Sequence, residues 1–174
     1  MTAIEVRNKV VSGLRGYLGV PVNLSEQVSE EPGVPYIIYS VTSPYIPGNT
    51  LGHFGHKASD GGNITETRAE QAGMTMSFTV CSQSRKGDDG CWIWGEDEAM
   101  GLAEKVQGWF LHTGRRFLSP EVVVESVGNA APRSTLMVDE EANRYGFDVL
   151  VKYIREDAVE VGGLGIAVSK GGGR

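Results

Sequence analysis

VPYIIYSVTSPYIPG, residues 34–48, joins a β-strand pattern directly to a segment stiffened by proline. Its first half, residues 36–43, is rich in tyrosine, isoleucine, valine and threonine, which suit a pleated and half-buried surface. This half predicts a strand of the main sheet. Pro44 and Pro47 then remove two backbone donors and fix two φ angles, so we expect the strand to end there and the apolar residues between the prolines to be extended.

Two amphipathic helices are predicted, one before this strand and one well after it. The first begins at a capping box formed by Thr2 and Glu5 and ends before Gly19. The second begins at the acidic residues 96–98, because negative charge favours the positive end of a helix dipole. The residues predicted to form its apolar face are Ala99, Leu102, Ala103, Val106 and Phe110, with Trp109 at the edge of that face.

The remaining strands are indicated by alternation at a period of two. Residues 64–71 are polar at nearly every position, as in an edge strand or an arm, whereas residues 74–81 alternate as a core strand does. Whether Gly73 bends one long strand or separates two remains open. Further strands are predicted at residues 122–127, 134–139 and 145–154. The order of elements predicts an α+β fold: a single domain with a mostly antiparallel sheet packed by two amphipathic helices.

Two segments fall outside this periodic pattern. Residues 44–62 form a long loop or arm, and loops of that length in compact domains are uncommon unless they are functional or disordered. The glycines after Asp157 predict a flexible C-terminal tail. We therefore assign residues 1–157 to the domain and residues 158–174 to the tail.

Composition limits the classes of function. The net charge is −6 with no basic block, so the electrostatic attraction that drives nucleic-acid binding is not expected. The chain shows neither a signal peptide pattern nor a stretch of roughly 18 apolar residues that could span a membrane, which predicts a cytoplasmic location without membrane contact. Cys81 and Cys91 are expected to be reduced thiols, with a disulfide closing residues 82–90 as the alternative.

One cluster could carry chemistry. His53, His56 and Asp60 lie together in the long loop, and histidines three residues apart can share one face of a helical turn. A small metal-dependent enzyme using this loop is therefore one hypothesis. The neighbouring glycines argue against a rigid ligand frame, so our leading expectation is no metal, no cofactor and no catalytic residue.

Several segments together resemble the neck or tail terminator proteins of tailed bacteriophages, specifically the neck-terminator type. They are GYLGVPV (16–22), PYIIYSVTSPYIPG (35–48), ETRAEQAGMTMSFTVCS (66–82), EAMGLAEKVQGWF (98–110) and RSTLMVDEEANRYGFDVLV (133–151). The likeness covers most of the chain. It consists of strand and loop patterns rather than a catalytic signature.

The resemblance implies a structural, non-enzymatic virion protein at the tail–neck junction, assembled in the host cytoplasm. Such a protein forms a ring, of six copies, that caps the tail tube, ends its polymerisation and joins the tail to the head-side connector. The implied partners are other copies of the chain, the tail tube protein, the connector or neck proteins and the tail sheath, with DNA passing through the lumen. A head-closure or tail-completion component that binds only the connector is the alternative within the same class.

Two sets of residues are candidate protein interfaces. Tyr45, Ile46 and Pro47 match the S-P-Y-I-P segment of the resembled family and are predicted to contact a neighbouring subunit or the tube; the alternative is that they fold onto their own core. The second set lies on one face of the predicted arm, where exposed ion pairs would set register across a subunit boundary more than affinity. Its members are Glu66, Arg68 and Glu70.

Overall fold

The computed structural model describes residues 1–26, 32–58, 63–133 and 142–161. The helices are α1 (Ala3–Leu18), α2 (Gly95–Gly108), a π-helical turn (Trp109–Thr113) and α3 (Gly114–Leu118). The strands are β1 (Val22–Leu24), β2 (Tyr36–Ile46), β3 (His53–Ala58), β4 (Ile64–Ser82), β5 (Arg85–Lys86), β6 (Trp92–Ile93), β7 (Val122–Val127), β8 (Ala131–Pro132) and β9 (Asn143–Val161). The predicted strand at 134–139 and residues 162–174 of the predicted tail lie outside the described residues.

One large sheet organises the chain, with the strand order β1-β2-β4-β9-β7. β3 adds to β4 beside the end of β2, and β8 adds to β9. Every pairing in the described part of this sheet is antiparallel except that of β1 with β2. The helices and this mostly antiparallel sheet confirm the predicted α+β class.

The helices cover one face of the sheet. Thr2 caps α1 through the predicted capping box with Glu5, and Gly19 ends the helix at φ 68, a left-handed conformation that glycine adopts without strain. The apolar stripe of α1 and that of α2 enter the same buried cluster as the core side chains of β4 and β9. Phe78 lies at its centre, with the rings of Phe110 and Phe147 at centroid distances of 5.1 and 6.2 Å.

The second predicted helix is interrupted by a π-helical turn, in which the Gly114 N–H donates to the Trp109 carbonyl five residues back. Both Trp109 and Phe110 are buried at the start of this turn. Trp109, which was predicted at the edge of the apolar face, is 2% exposed because its indole lies against Gly13 and Gly114. Periodicity at 3.6 residues cannot detect a turn of this kind.

β4 and β9 are each 19 residues long and are paired without a break from Ile64 with Val161 to Ser82 with Asn143. Gly73 therefore lies within one continuous strand. Of the two alternatives for residues 64–71, an edge strand or an arm, the structure shows the arm and not the edge strand, because β3 pairs with them on one side and β9 on the other. β9 continues to Val161, past the predicted start of the tail after Asp157.

β2 also continues further than predicted, to Ile46. Two register shifts accompany the extension, one between Val41 and Ser43 and one between Ser43 and Ile46. A bulge leaves a residue outside the ladder, so Pro44 can be accommodated without losing a hydrogen bond.

Cys81 is buried, Cys91 is exposed, and no disulfide joins them, as expected.

Candidate assembly surface

A three-stranded arm extends from the main sheet where the helices no longer cover it. It consists of β3, residues 64–71 of β4 and residues 154–161 of β9. Side chains of β3 are almost all exposed, and those of β9 in the arm are exposed or half-buried. The arm is therefore held by its continuity with the long strands of the core rather than by a core of its own.

Both outer edges of the arm are open within the described part of the chain. β3 pairs only with β4, and the neighbour of β9 on its outer side, β7, stops opposite Tyr153. At this point the amino group of Met1 donates to the Ile154 carbonyl at 2.9 Å. Beyond it, β9 presents backbone donors and acceptors that a strand from another chain can pair with.

The two faces of the arm differ in chemistry. In the ladder, Phe54 is opposite Arg68, Val159 is opposite Glu66 and Val161 is opposite Ile64. These three apolar side chains therefore share one face of the arm, and that face continues the helix-covered face of the sheet. Phe54, Val159 and Val161 are 48%, 57% and 43% exposed. They share this face with the charged side chains of Glu66, Arg68, Arg155 and Asp157, so the surface offers both apolar and ionic groups to a protein partner.

A buried carboxylate fixes the base of the arm. Glu70 is only 3% exposed, and its carboxylate accepts a hydrogen bond from the Tyr45 hydroxyl. It also accepts two hydrogen bonds from the Arg68 guanidinium, at 2.8 and 3.2 Å. Arg68 also donates to the Leu51 carbonyl at 2.6 Å, and the Arg155 guanidinium lies 4.6 Å from the centre of the Tyr45 ring. The end of β2 is thereby attached to β4 and β9.

The protonation states in this network support one another. The hydrogen bond from Tyr45 lowers the pKa of the Glu70 carboxyl, and the same bond raises the pKa of the Tyr45 phenol. The carboxylate is thus held ionised as an acceptor and the phenol is held neutral as a donor. The expectation of an exposed ion pair is therefore wrong for Glu70, which bonds within its own chain.

Tyr45 and Ile46 point to opposite sides of the sheet. Tyr45 lies on the helix side with Glu70, while Ile46 packs over Gly73 and Leu150 on the opposite face. Both remain partly exposed, at 38% and 37%. Ile46 and Pro47 line a groove of about 350 Å³ on that face. The segment is therefore attached to its own chain without being buried in the core.

The other predicted residues of the arm lie where β4 pairs with β3. Glu66 is opposite His56, and the His56 Nε2 and Glu66 Oε2 atoms are 3.1 Å apart. Glu66, Arg68 and Glu70 share one face of β4, as predicted, since alternate residues of a strand point the same way.

The hypothesis of a metal site loses its geometric basis. His53 and His56 lie on a strand, not on a helical turn, and residues three apart on a strand point to opposite faces. The third candidate ligand, Asp60, lies outside the described residues. Among the described residues, no group of three or more histidine, cysteine, aspartate or glutamate side chains could hold a metal ion.

Sequence reasoning missed β3 and the apolar face of the arm. A glycine-rich composition concealed β3, in which His53, Phe54, His56 and Lys57 are combined with the small residues Gly55 and Ala58. The pairing of Val159 with Glu66 and of Val161 with Ile64 gave no periodic signal of burial, because neither face of the arm is covered by helices.

The open strand edges and exposed side chains of the arm form a surface suited to contacts with other chains. The family model of the phage neck terminator protein matches residues 8–172, nearly the whole chain. The chain belongs to this family, which confirms the resemblance seen in its sequence and makes it a structural protein of the phage neck. No curated protein matches it. Among the described helices, none has both the length and the apolar character needed to cross a bilayer.

Proposed function

We propose that copies of this chain form a ring at the tail–neck junction that caps the tail tube, ends its polymerisation and joins the tail to the head-side connector. The tail tube protein, the connector and the tail sheath are its neighbours in this proposal, and DNA passes through the lumen. Six copies in the ring are expected from the family resemblance.

The arm is the observation that carries the proposal. Its two open edges lie on different sides of the protomer, β3 on one side and residues 154–161 of β9 on the other. A contact between two different surfaces of the same chain is heterologous, and it closes into a ring when the rotation between neighbours allows. We propose that the β3 edge of one copy pairs with the β9 edge of the next.

The two faces of the arm suggest how it is oriented. The face with Phe54 and Val159 is suited to a protein partner such as the tube. The other face carries Glu156 and Glu160 of β9 and Lys57 of β3. With two carboxylates to one ammonium group, this face toward the lumen would disfavour adhesion of DNA phosphates.

Negative-stain imaging of the purified protein, alone and with isolated tail tubes, tests the proposal. Rings at one end of each tube are expected. A protein that neither forms rings nor occupies tube ends would contradict it.

A variant with Tyr45→Ala and Ile46→Ala tests the contact assigned to this segment. Circular dichroism should show a folded protomer, since both side chains are more than one-third exposed, while ring or tube binding weakens. Tyr45→Phe is the matched control, because it removes only the hydrogen bond to Glu70 and keeps the ring. If the double variant unfolds, or if it assembles as well as wild type, this segment is not the contact.

A further inference from the structure

A short hairpin carries two exposed tryptophans at the start of α2. This tryptophan hairpin comprises β5, β6 and the turn between them, followed by Trp94. Trp92 and Trp94 are 55% and 63% exposed, with ring centres 6.0 Å apart in an edge-to-face arrangement. Exposed tryptophans of this kind are among the side chains that dominate protein interfaces.

The hairpin is held rigidly, so its indoles are preorganised for binding. The Gly87 N–H donates to the Cys91 carbonyl at 2.8 Å across the turn. At its base, the Arg85 guanidinium donates to both carboxylate oxygens of Glu98, at 2.7 and 3.0 Å. Holding the binding residues in place before association lowers the entropic cost of binding.

Acidic side chains surround the two indoles. Asp88 and Asp89 are exposed at the turn, and Glu96 and Asp97 are exposed in the first turn of α2. Lys86 is the exposed cation of the hairpin. The tryptophan hairpin is therefore an apolar projection with an acidic border, which fits an apolar recess with a basic border.

The same chain offers such a recess at the other end of its helical layer. This basic groove has a volume of about 560 Å³. Its lining residues are Leu111, His112, Arg115, Arg116, Ser119, Val122 and Val123. Leu111 and Val123 supply exposed apolar surface, at 63% and 45%.

The cations of the groove are available to a partner. Arg115 and Arg116 are exposed, and neither guanidinium is in an ion pair within the described ranges of the chain. The nearby Glu121 already pairs with Lys9.

The hairpin cannot enter the groove of its own protomer. The 14 residues of α2 and then the π-helical turn separate them, and 14 helical residues span about 20 Å. The start of α2 lies beside Val20 and Pro35, near β1 and β2, whereas the π-helical turn packs on β7. The two surfaces therefore lie near opposite edges of the sheet, one by β1 and β2 and the other by β7, just as the two open edges of the arm lie on opposite sides of β4.

We infer that the tryptophan hairpin of one copy inserts into the basic groove of the next copy. This inference rests on the proposed ring, to which it adds a second contact between the same neighbours. The two indoles can bury about 150–250 Å² each, well below the roughly 1,200 Å² of a stable interface, so the hairpin acts together with the arm.

The exposed Cys91, next to Trp92, allows a direct test by disulfide crosslinking of assemblies on tail tubes. Ser119→Cys places a thiol in the groove by a nearly isosteric change, and mild oxidation should then link neighbouring copies into a ladder of multimers. Glu104→Cys, exposed on α2 outside the groove, is the matched control and should not crosslink. Cys91→Ser in the Ser119→Cys chain should remove the ladder.

Further variants identify the occupant of the groove. Trp92→Ala with Trp94→Ala in the Ser119→Cys chain should slow crosslinking at least tenfold. Rings that are visible by imaging but do not crosslink, or that crosslink equally through Glu104→Cys, would overturn the hairpin contact and leave the ring proposal intact. If neither rings nor crosslinks appear, both proposals fail. Binding of duplex DNA that Arg115→Glu abolishes would assign the groove to nucleic acid and also overturn the hairpin contact.

Discussion

Gly114→Ala should destabilise the protein although alanine is the better helix former. A methyl group built at Gly114 would lie 2.4, 2.5 and 2.6 Å from three atoms of the Trp109 indole, which is 2% exposed. Phe110 packs on the same indole at a centroid distance of 4.9 Å, so the ring cannot simply move away. Overpacking of a core costs about 1–3 kcal/mol, and here we expect the upper part of that range.

Gly101→Ala is the matched control for this prediction. Gly101 lies in α2 with no atom within 4 Å of an added methyl group, so it should report only the gain in helix propensity, about 0.5–1 kcal/mol. Gly114→Ala should then have a free energy of unfolding lower than wild type by about 2 kcal/mol and lower than Gly101→Ala by about 3 kcal/mol. Urea titration followed by far-ultraviolet circular dichroism measures both. If Gly114→Ala is as stable as Gly101→Ala, the steric reasoning is refuted.

Three further outcomes follow from the structure. Phe78→Ala should lower the free energy of unfolding by about 3–5 kcal/mol in the same urea assay, because it removes the central ring of the core. The hydrogen bond from Arg85 lowers the pKa of Glu98, so the stabilisation from this pair, about 1 kcal/mol, should be present above pH 4.5 and lost as the pH falls through the lowered pKa. Unfolding measured from pH 7 to pH 3 should show wild type and Glu98→Gln converging at the acidic end, and a constant difference would contradict the assignment. A thiol reagent should modify Cys91 in the folded protein and Cys81 only after unfolding, as mass spectrometry can show.

The parts of the fold that bury one face were predictable from sequence. The capping box at Thr2 and Glu5 and the alternation of residues 74–81 each reflect a boundary between solvent and core, and both were found where predicted. The π-helical turn was not predictable, because one inserted residue changes which side chains face inward without changing composition.

The arm could not be located from sequence for a different reason. Residues 64–71 are polar because neither face of the arm is covered by helices, and this pattern leaves an edge strand and an arm as alternatives. Polarity reports access to water, and residues 64–69 remain half-exposed although they are in an inner strand, so their composition is similar to that of an edge strand. The burial of Glu70 likewise depended on where Tyr45 lies in space, which its sequence separation of 25 residues does not reveal.

The uninterrupted ladder between β4 and β9 has a mechanical consequence. Nineteen residues of extended chain span about 60 Å, and the same two strands run through both the core and the arm. A load applied at the tip of the arm along these strands would be carried in shear, with many hydrogen bonds resisting together instead of opening one at a time. The arm and the core should therefore respond to tension as one rigid unit, and no hinge is expected between the arm and the helix-covered core.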